Sequence, residues 1–364
     1  MIRSARLRTV ALVLALLLIS GGGVSSQERG ARDDLTPQTR KAVKAGLDYL
    51  KKIQNADGSF GTNYTLAASG LAGMAFLGYG STYSRGNYAE QVQKLVEYLL
   101  KIQDAFGYFD DGQCRMHGHG YGTLFLAQAY GTMPPGKQKK VREALQKAVR
   151  VICKSQTDLG GWGYMPRHVQ GGWGFDEGSV TVTQVQALRA ARDAGIHVPE
   201  RVIKKGLSYI KKSTSERGCR YTLRGGGRTT TTLTAAAAAV LNSYGVYDPA
   251  KCKQLRWALT LLEKRMKASV DSGRAAMDAI KWAWYGNLYA AQACWQAGEK
   301  MWKLYYKTTY RQLLKWQDAA GGWSRGRSGW GGSYGAAFST AIACLILELP
   351  MEYLPIFQKP EKEK

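Results

Sequence analysis

Four stretches decide the fold: QNADGSF at Gln54–Phe60, QDAFGYF at Gln103–Phe109, QTDLGGW at Gln156–Trp162 and QDAAGGW at Gln317–Trp323. Each sets a glutamine at the end of a helix-like run, a glycine four residues on and an aromatic two residues beyond. The glutamines are spaced by 49, 53 and then 161 residues, the last being three steps of about 54. Periods of this order mark stacked repeats, so two degenerate copies are predicted in the long gap. The first is legible: Gly206-Leu-Ser-Tyr-Ile-Lys-Lys mirrors Gly46-Leu-Asp-Tyr-Leu-Lys-Lys, with Thr214 where Gln54 stands and Gly218 four residues on. The second runs through Leu259 to Met266 and lacks the motif. Six units of roughly 50 residues then span Thr36 to Leu349.

Each unit reads as two helices. In KAVKAGLDYLKKIQ, Val43, Leu47, Leu50 and Gln54 share one helical face and lysines occupy the rest. Thr36-Pro37 supplies an N-cap and a proline at the first helical position. The second helix is apolar nearly all round, as in AASGLAGMAFLG, TTLTAAAAAVLNSYG and AAFSTAIACLILEL. A helix without a polar face is buried. The lysine-bearing helices therefore face solvent and the small-residue helices face inward. The predicted fold is an all-α, α/α toroid over residues 36–357, six inner helices within six outer ones, followed by a charged tail at 358–364.

Composition agrees with a globular chain: 364 residues, 45% hydrophobic and 21% charged. The 43 glycines have no triplet period, which excludes collagen, and 9 prolines exclude Pro-rich linkers. Residues 1–26 read as a signal peptide: Arg3, Arg6 and Arg8, an apolar run from Val10 to Ile19, then Val24-Ser25-Ser26. The apolar run is too short to span a bilayer, which needs about 20 residues. Residues 27–35 read as a linker, and no later stretch reads as a transmembrane segment. The expected location is the periplasm or the exterior. The net charge of +24 falls to +21 without the three N-terminal arginines. It is mostly solvated lysine, able to meet an anionic envelope surface. Nucleic acid is not expected as a partner, for want of a recognition motif. Of the six cysteines, Cys153, Cys294 and Cys344 fall in apolar helices, whereas Cys114 and Cys219 fall in loop-like segments and are the better candidates for a bond or a free thiol.

The four Q-x-x-x-G-x-[WF] segments resemble the QW motif of squalene–hopene cyclases, and the chain resembles the prenyltransferase/squalene oxidase repeat superfamily over almost its whole length beyond residue 26. That resemblance implies the α/α toroid and, as activities, terpenoid cyclisation or prenyl transfer. It also implies a structural role for Gln54, Gln103, Gln156 and Gln317 at the helix junctions. Three active-site signatures of such toroids are missing: no D-x-D-D acid motif, no D-x-C zinc pair and no C-G-E-Q thioester.

In this topology the connections from first to second helix gather at one mouth, and they hold the unusual residues. Asp110-Asp111 and Asp176-Glu177 are the nearest carboxylate pairs. Such a pair can share a proton and act as an acid, though an Asp ahead of a buried helix ordinarily caps it. Asp110, Asp111, His119 and Asp176 are the catalytic candidates. His117, Trp173, Trp284, Tyr285 and Asn287 are the candidates for ligand contact. His117 and His119 lack a third ligand, so no metal and no cofactor is expected. Two functions fit: a binding or scaffold protein for an apolar or extended ligand, and a diverged cyclase or prenyl-transfer enzyme with an acid at the mouth. Intact-mass spectrometry of the protein from a secreting host should find a chain beginning at Gln27; a chain retaining Met1 would refute cleavage.

Overall fold

The computed structural model describes residues 34–169, 175–278, 280, 282–324 and 334–358. The stretch read as a signal peptide, residues 27–33 of the predicted linker, Trp173 and the tail beyond Gln358 lie outside the described residues. Twelve helices are found among the described residues. Six are outer: α1 Pro37–Ile53, α3 Ala89–Ile102, α5 Pro135–Ser155, α7 Glu200–Ser213, α9 Lys253–Asp271 and α11 Glu299–Trp316. Six are inner: α2 Thr65–Gly78, α4 Arg115–Tyr130, α6 Gly178–Asp193, α8 Thr231–Ser243, α10 Ala283–Ala297 and α12 Gly335–Glu348. Each inner helix packs on the next, and α12 returns to α2, so the ring closes. The division follows from side chains. In α1 only one face is buried, through Val43, Leu47 and Leu50. In α2 every residue from Leu66 to Gly78 is buried. Small residues set the approach of inner helices: a Cβ on Gly70 would lie 2.8 Å from the Tyr121 backbone.

The four glutamines all make the same pair of hydrogen bonds. Gln54 Nε2 donates to the carbonyl of Gly58 at 2.9 Å and to that of Gln91 on α3 at 3.2 Å. Gln103 reaches Gly107 and Ala144 on α5, and Gln156 reaches Gly160 and Val202 on α7. Gln317 reaches Gly321 and Ala42 on α1, both at 2.7 Å, across the seam between last and first pairs. One amide thus fastens its own turn to the next outer helix. The glycine four residues on is required there, because its φ is positive and the next outer helix lies against it. A Cβ on Gly58 would meet the Lys94 carbonyl oxygen at 2.4 Å. The aromatics are buried beneath, and Trp162 and Trp323 donate their indole N–H to Ile152 and Leu313, carbonyls in the last turn of the preceding outer helix.

One region differs from the sequence reading. The fourth connection holds a small antiparallel sheet, β1 Thr214–Ser215, β2 Gly218–Arg220 and β3 Thr229–Thr230, in the order β1-β2-β3. Thr214 has no long amide, so its hydroxyl turns back to the Ile210 carbonyl and the ladder tethers the segment instead. Cys114 and Cys219, expected as either a bond or a free thiol, are buried free thiols, as all six cysteines are outside disulfides.

The far end of the ring is crossed by short 3-10 turns at Leu349–Met351 and Pro355–Phe357. Gln128 accepts from Ile356 N, and Gln296 donates to the Phe357 carbonyl. Beneath them Glu348, the last residue of α12, is buried, and neither carboxyl oxygen has a hydrogen-bond partner among the described residues. Burial pushes its pKa well above the usual carboxylate value.

Two outcomes follow from this packing. Gln317→Ala should lower unfolding stability by about 1–3 kcal/mol, measured by denaturant titration, because two seam hydrogen bonds vanish and the Gly321 carbonyl loses a partner. Glu348 has a folded pKa above its unfolded one. Its contribution is present below the unfolded pKa and lost as pH rises through the folded pKa. Glu348→Gln should therefore match the wild type in Tm near pH 4 and exceed it at pH 7; equal Tm at both would contradict the assignment.

Candidate functional site

All six connections converge on one mouth. Tyr64, Arg115, Glu177, Tyr221, Trp282 and Tyr334, one from each helix pair, line a cavity of about 810 Å³. Its depth is aromatic and polar. Tyr121 and Tyr285 line it, with Tyr289 buried behind: Tyr121 OH lies 3.3 Å from Tyr289 OH, and Tyr285 OH donates to the Ser179 carbonyl at 3.1 Å. Burial pushes all three phenols well above the ordinary tyrosine value, so they remain protonated donors.

The polar cluster sits where α4 and α6 begin. Ser179 Oγ donates to Glu177 Oε2 at 2.6 Å and lies 3.1 Å from His117 Nε2. Glu177 Oε2 also accepts from Val180 N at 2.7 Å, capping α6, and stands 4.0 Å from His117 Nε2. Glu177 Oε1 is buried and has no partner among the described residues. Burial raises the Glu177 pKa; bonds from Ser179 and Val180 oppose that rise without cancelling it. Burial lowers His117 to about 4, although its side chain keeps 23% of its surface open to the cavity. The carboxyl lies beside the serine and Nε2, not on Nδ1. The three groups therefore form a proton-sharing cluster and not the order of a serine-hydrolase triad.

The sequence candidates divide. His117 and Tyr285 line the cavity. Asp110 is exposed on its connection and accepts from Gly112 N. Asp111 accepts from Leu66 N at 2.7 Å, and from Gln113 N and Cys114 N, so it caps two inner helices. Burial alone would raise its pKa, but those donors win and hold it below the ordinary carboxylate value. An ionised cap is no proton donor. Asp176 is buried facing the outer ring, where Oδ2 accepts from Tyr209 OH at 2.6 Å, Leu223 N and Thr222 Oγ1. His119 points to the outer helices: Nδ1 accepts from Phe109 N at 3.1 Å, so Nε2 carries the proton toward the Ala148 carbonyl. Ser69, Thr181 and Thr340 accept from the motif aromatics Phe60, Trp162 and Trp323 in the same way, so His119 fills a position where other pairs use a hydroxyl. Trp284 is core. Asn287 is buried and bonded to the Met277 and Ala283 carbonyls and to Tyr305 OH. Asp110, Asp111, His119, Asp176, Trp284 and Asn287 are all absent from the cavity lining.

Ser179 was passed over by the sequence reading, and Glu177 was named there only as half of a carboxylate pair of which Asp176 was kept as the candidate, although alternation could have favoured Glu177. Glu177 pairs with Trp162 as an extended bridge. Neighbours in extended chain point to opposite sides, so Asp176 outward sets Glu177 inward. Among the described residues no group of three or more His, Cys, Asp or Glu could hold a metal ion.

No family model matches the sequence, and no curated protein is significantly similar to it. Solved structures do share the fold. Type II terpene cyclase MstE from Scytonema, bound to geranylgeranyl dihydroxybenzoate as substrate, is 14% identical; the match covers 89% of this chain and 100% of that one, with a TM-score of 0.56. An α-1,6-mannanase from Salegentibacter is 10% identical over 86% and 99% of the two chains, with a TM-score of 0.57. A cellobiose 2-epimerase from Bacillus thermoamylovorans is 12% identical over 85% and 97%, with a TM-score of 0.62. At these identities the likeness is one of fold: this chain shares the α/α toroid architecture of these structures.

Proposed function

We propose that this protein is an exported toroid that binds a neutral ligand in its mouth and performs general acid–base chemistry on it. The observation that carries the reading is the Glu177–Ser179–His117 cluster. Its environments push the carboxyl pKa up and the imidazole pKa down. Between pH of about 4 and the raised Glu177 pKa, the acid holds a proton and the imidazole does not. Groups of opposed readiness in one cavity are the usual mark of an acid and a base. Ser179 lies between them and can pass a proton in either direction. A ligand oxygen beside Glu177 would be protonated as His117 or Ser179 accepts a proton elsewhere on the ligand.

Alkene protonation as in squalene–hopene cyclases is not supported, because it needs an unusually strong acid and burial makes Glu177 a weak one. Solved toroids with names of three chemistries, a cyclase, a glycan hydrolase and an epimerase, support a diverged enzyme by analogy of fold. The four Gln segments are read as QW-type motifs of a six-fold repeat, supported by their shared hydrogen bonds. Export rests on residues 1–26, and contact with an anionic envelope surface on the lysine-rich outer helices.

A second reading, binding without turnover, is favoured by one observation: Glu177 Oε2 already serves as the N-cap of α6. Glu177→Gln separates the two, since an amide oxygen can keep the cap but cannot supply the proton. Wild type and variant are incubated with host metabolite extract and followed by mass spectrometry. Acid–base chemistry predicts that the wild type consumes a metabolite that Glu177→Gln binds but leaves intact. It also predicts a bell-shaped rate profile whose acid limb falls near pH 4 as His117 protonates. No consumption by either protein, with equal retention of the same ligand, would leave binding alone.

A further inference from the structure

The chain holds a left-handed backbone at the start of four inner helices. Tyr64, next to α2, has φ 52°, Arg115, at the start of α4, has 53°, and Trp282, next to α10, has 56°. In the sixth pair the left-handed residue is Gly335, with φ 83°. Glycine therefore serves this turn without strain, yet three pairs spend a large side chain there. Each such residue carries backbone strain that glycine would not. All three line the same cavity.

Two of the three are aromatic and open to solvent: Tyr64 is 38% exposed and Trp282 57%. Tyr334 lies between them, its ring centroid 4.9 Å from that of Tyr64 and 6.0 Å from that of Trp282. These rings form a continuous wall across α2, α12 and α10. The polar cluster belongs to α4 and the start of α6, elsewhere on the same rim. A ligand that covers both must carry an apolar face for the rings and hydrogen-bonding groups for Glu177, Ser179 and His117. A prenyl chain would meet the rings but shut His117 and Ser179 from water and offer nothing to Glu177 Oε1, which has no partner among the described residues; that is costly. A sugar ring supplies both, with C–H faces to stack and hydroxyls that donate and accept.

We infer that the mouth is a carbohydrate site, in which Trp282, Tyr334 and Tyr64 stack successive sugar rings of a short neutral oligosaccharide. The inference rests on the mouth being the ligand site and adds the class of ligand. The strain has a direct consequence. Trp282→Gly removes the stacking surface and relieves the backbone together, so binding should fall while stability is held or gained.

The test uses the full mature chain and intrinsic tryptophan fluorescence, with isothermal titration as the second readout. The probes are neutral tri- and tetrasaccharides, including α-1,6-mannotriose and cello-oligosaccharides, and geranylgeraniol in detergent micelles. Saturable binding of at least one saccharide is expected, weakened tenfold or more in Trp282→Gly with Tm unchanged or raised. Phe106→Ala, an exposed ring outside the cavity, should change nothing. Binding of geranylgeraniol alone would overturn the ligand class while keeping the mouth as the site. Absence of any saccharide binding, or unchanged affinity in Trp282→Gly, would also overturn it. None of these results bears on Glu177→Gln turnover, so the failure of this inference and of acid–base chemistry are told apart.

Discussion

One side-chain amide, used four times, holds the ring. A glutamine Nε2 carries two protons, and at Gln54, Gln103, Gln156 and Gln317 both are committed, one to the local turn and one to the neighbouring outer helix. That second bond sets the spacing between consecutive pairs. The glycine beside it permits backbone contact, and the aromatic below fills the junction. With the spacing fixed, the connections all emerge at one end, and a mouth exists because six turns meet there. The polar and aromatic lining is carried on a frame whose tolerance is set elsewhere.

Electrostatics divide the molecule as sharply as packing does. Charge is concentrated on the outer helices, where ion pairs such as Lys44–Asp48 and Lys204–Glu200 are exposed i,i+4 contacts of small energetic weight. Inside, three carboxyls are held away from their ordinary behaviour. Asp111 is kept ionised by backbone donors, whereas Glu177 and Glu348 are pushed toward the neutral form by burial. The interior carboxyls do different things: Asp111 caps helices, Glu177 lines the cavity, Asp176 bonds toward the outer ring, and Glu348 has no hydrogen-bond partner among the described residues under the closing turns.

The architecture was legible because it rests on periodicity and on a spaced motif, both linear properties of the chain. Inner and outer helices followed from whether lysine interrupts the apolar face. The site was half legible. His117 and Tyr285 were singled out because unusual residues gather in and beside the connections, and both line the cavity. Asp111 and His119 lie outside the cavity lining, and their partners Leu66 and Ala148 come from other helices and carry no mark in the local sequence. Asp176 and Glu177 were read together as one carboxylate pair and only Asp176 was kept as a candidate, while an extended backbone turned the two to opposite sides of the ring. The small sheet in the fourth connection was missed because its strands are two and three residues long, too short to show alternation.

The seam has a consequence for the order of assembly. Gln317 and its acceptor Ala42 are 275 residues apart, and Cys344 meets the Val43 carbonyl across 301. Contacts of such long range form late, since the chain loses loop entropy before they reward it. Five pairs can stack in turn as the chain lengthens, but each such intermediate leaves apolar inner-helix surface bare at both open ends. Only the arrival of α12 covers both at once. The last transition is therefore the most cooperative one, and partly assembled forms are the species most exposed to aggregation and proteases.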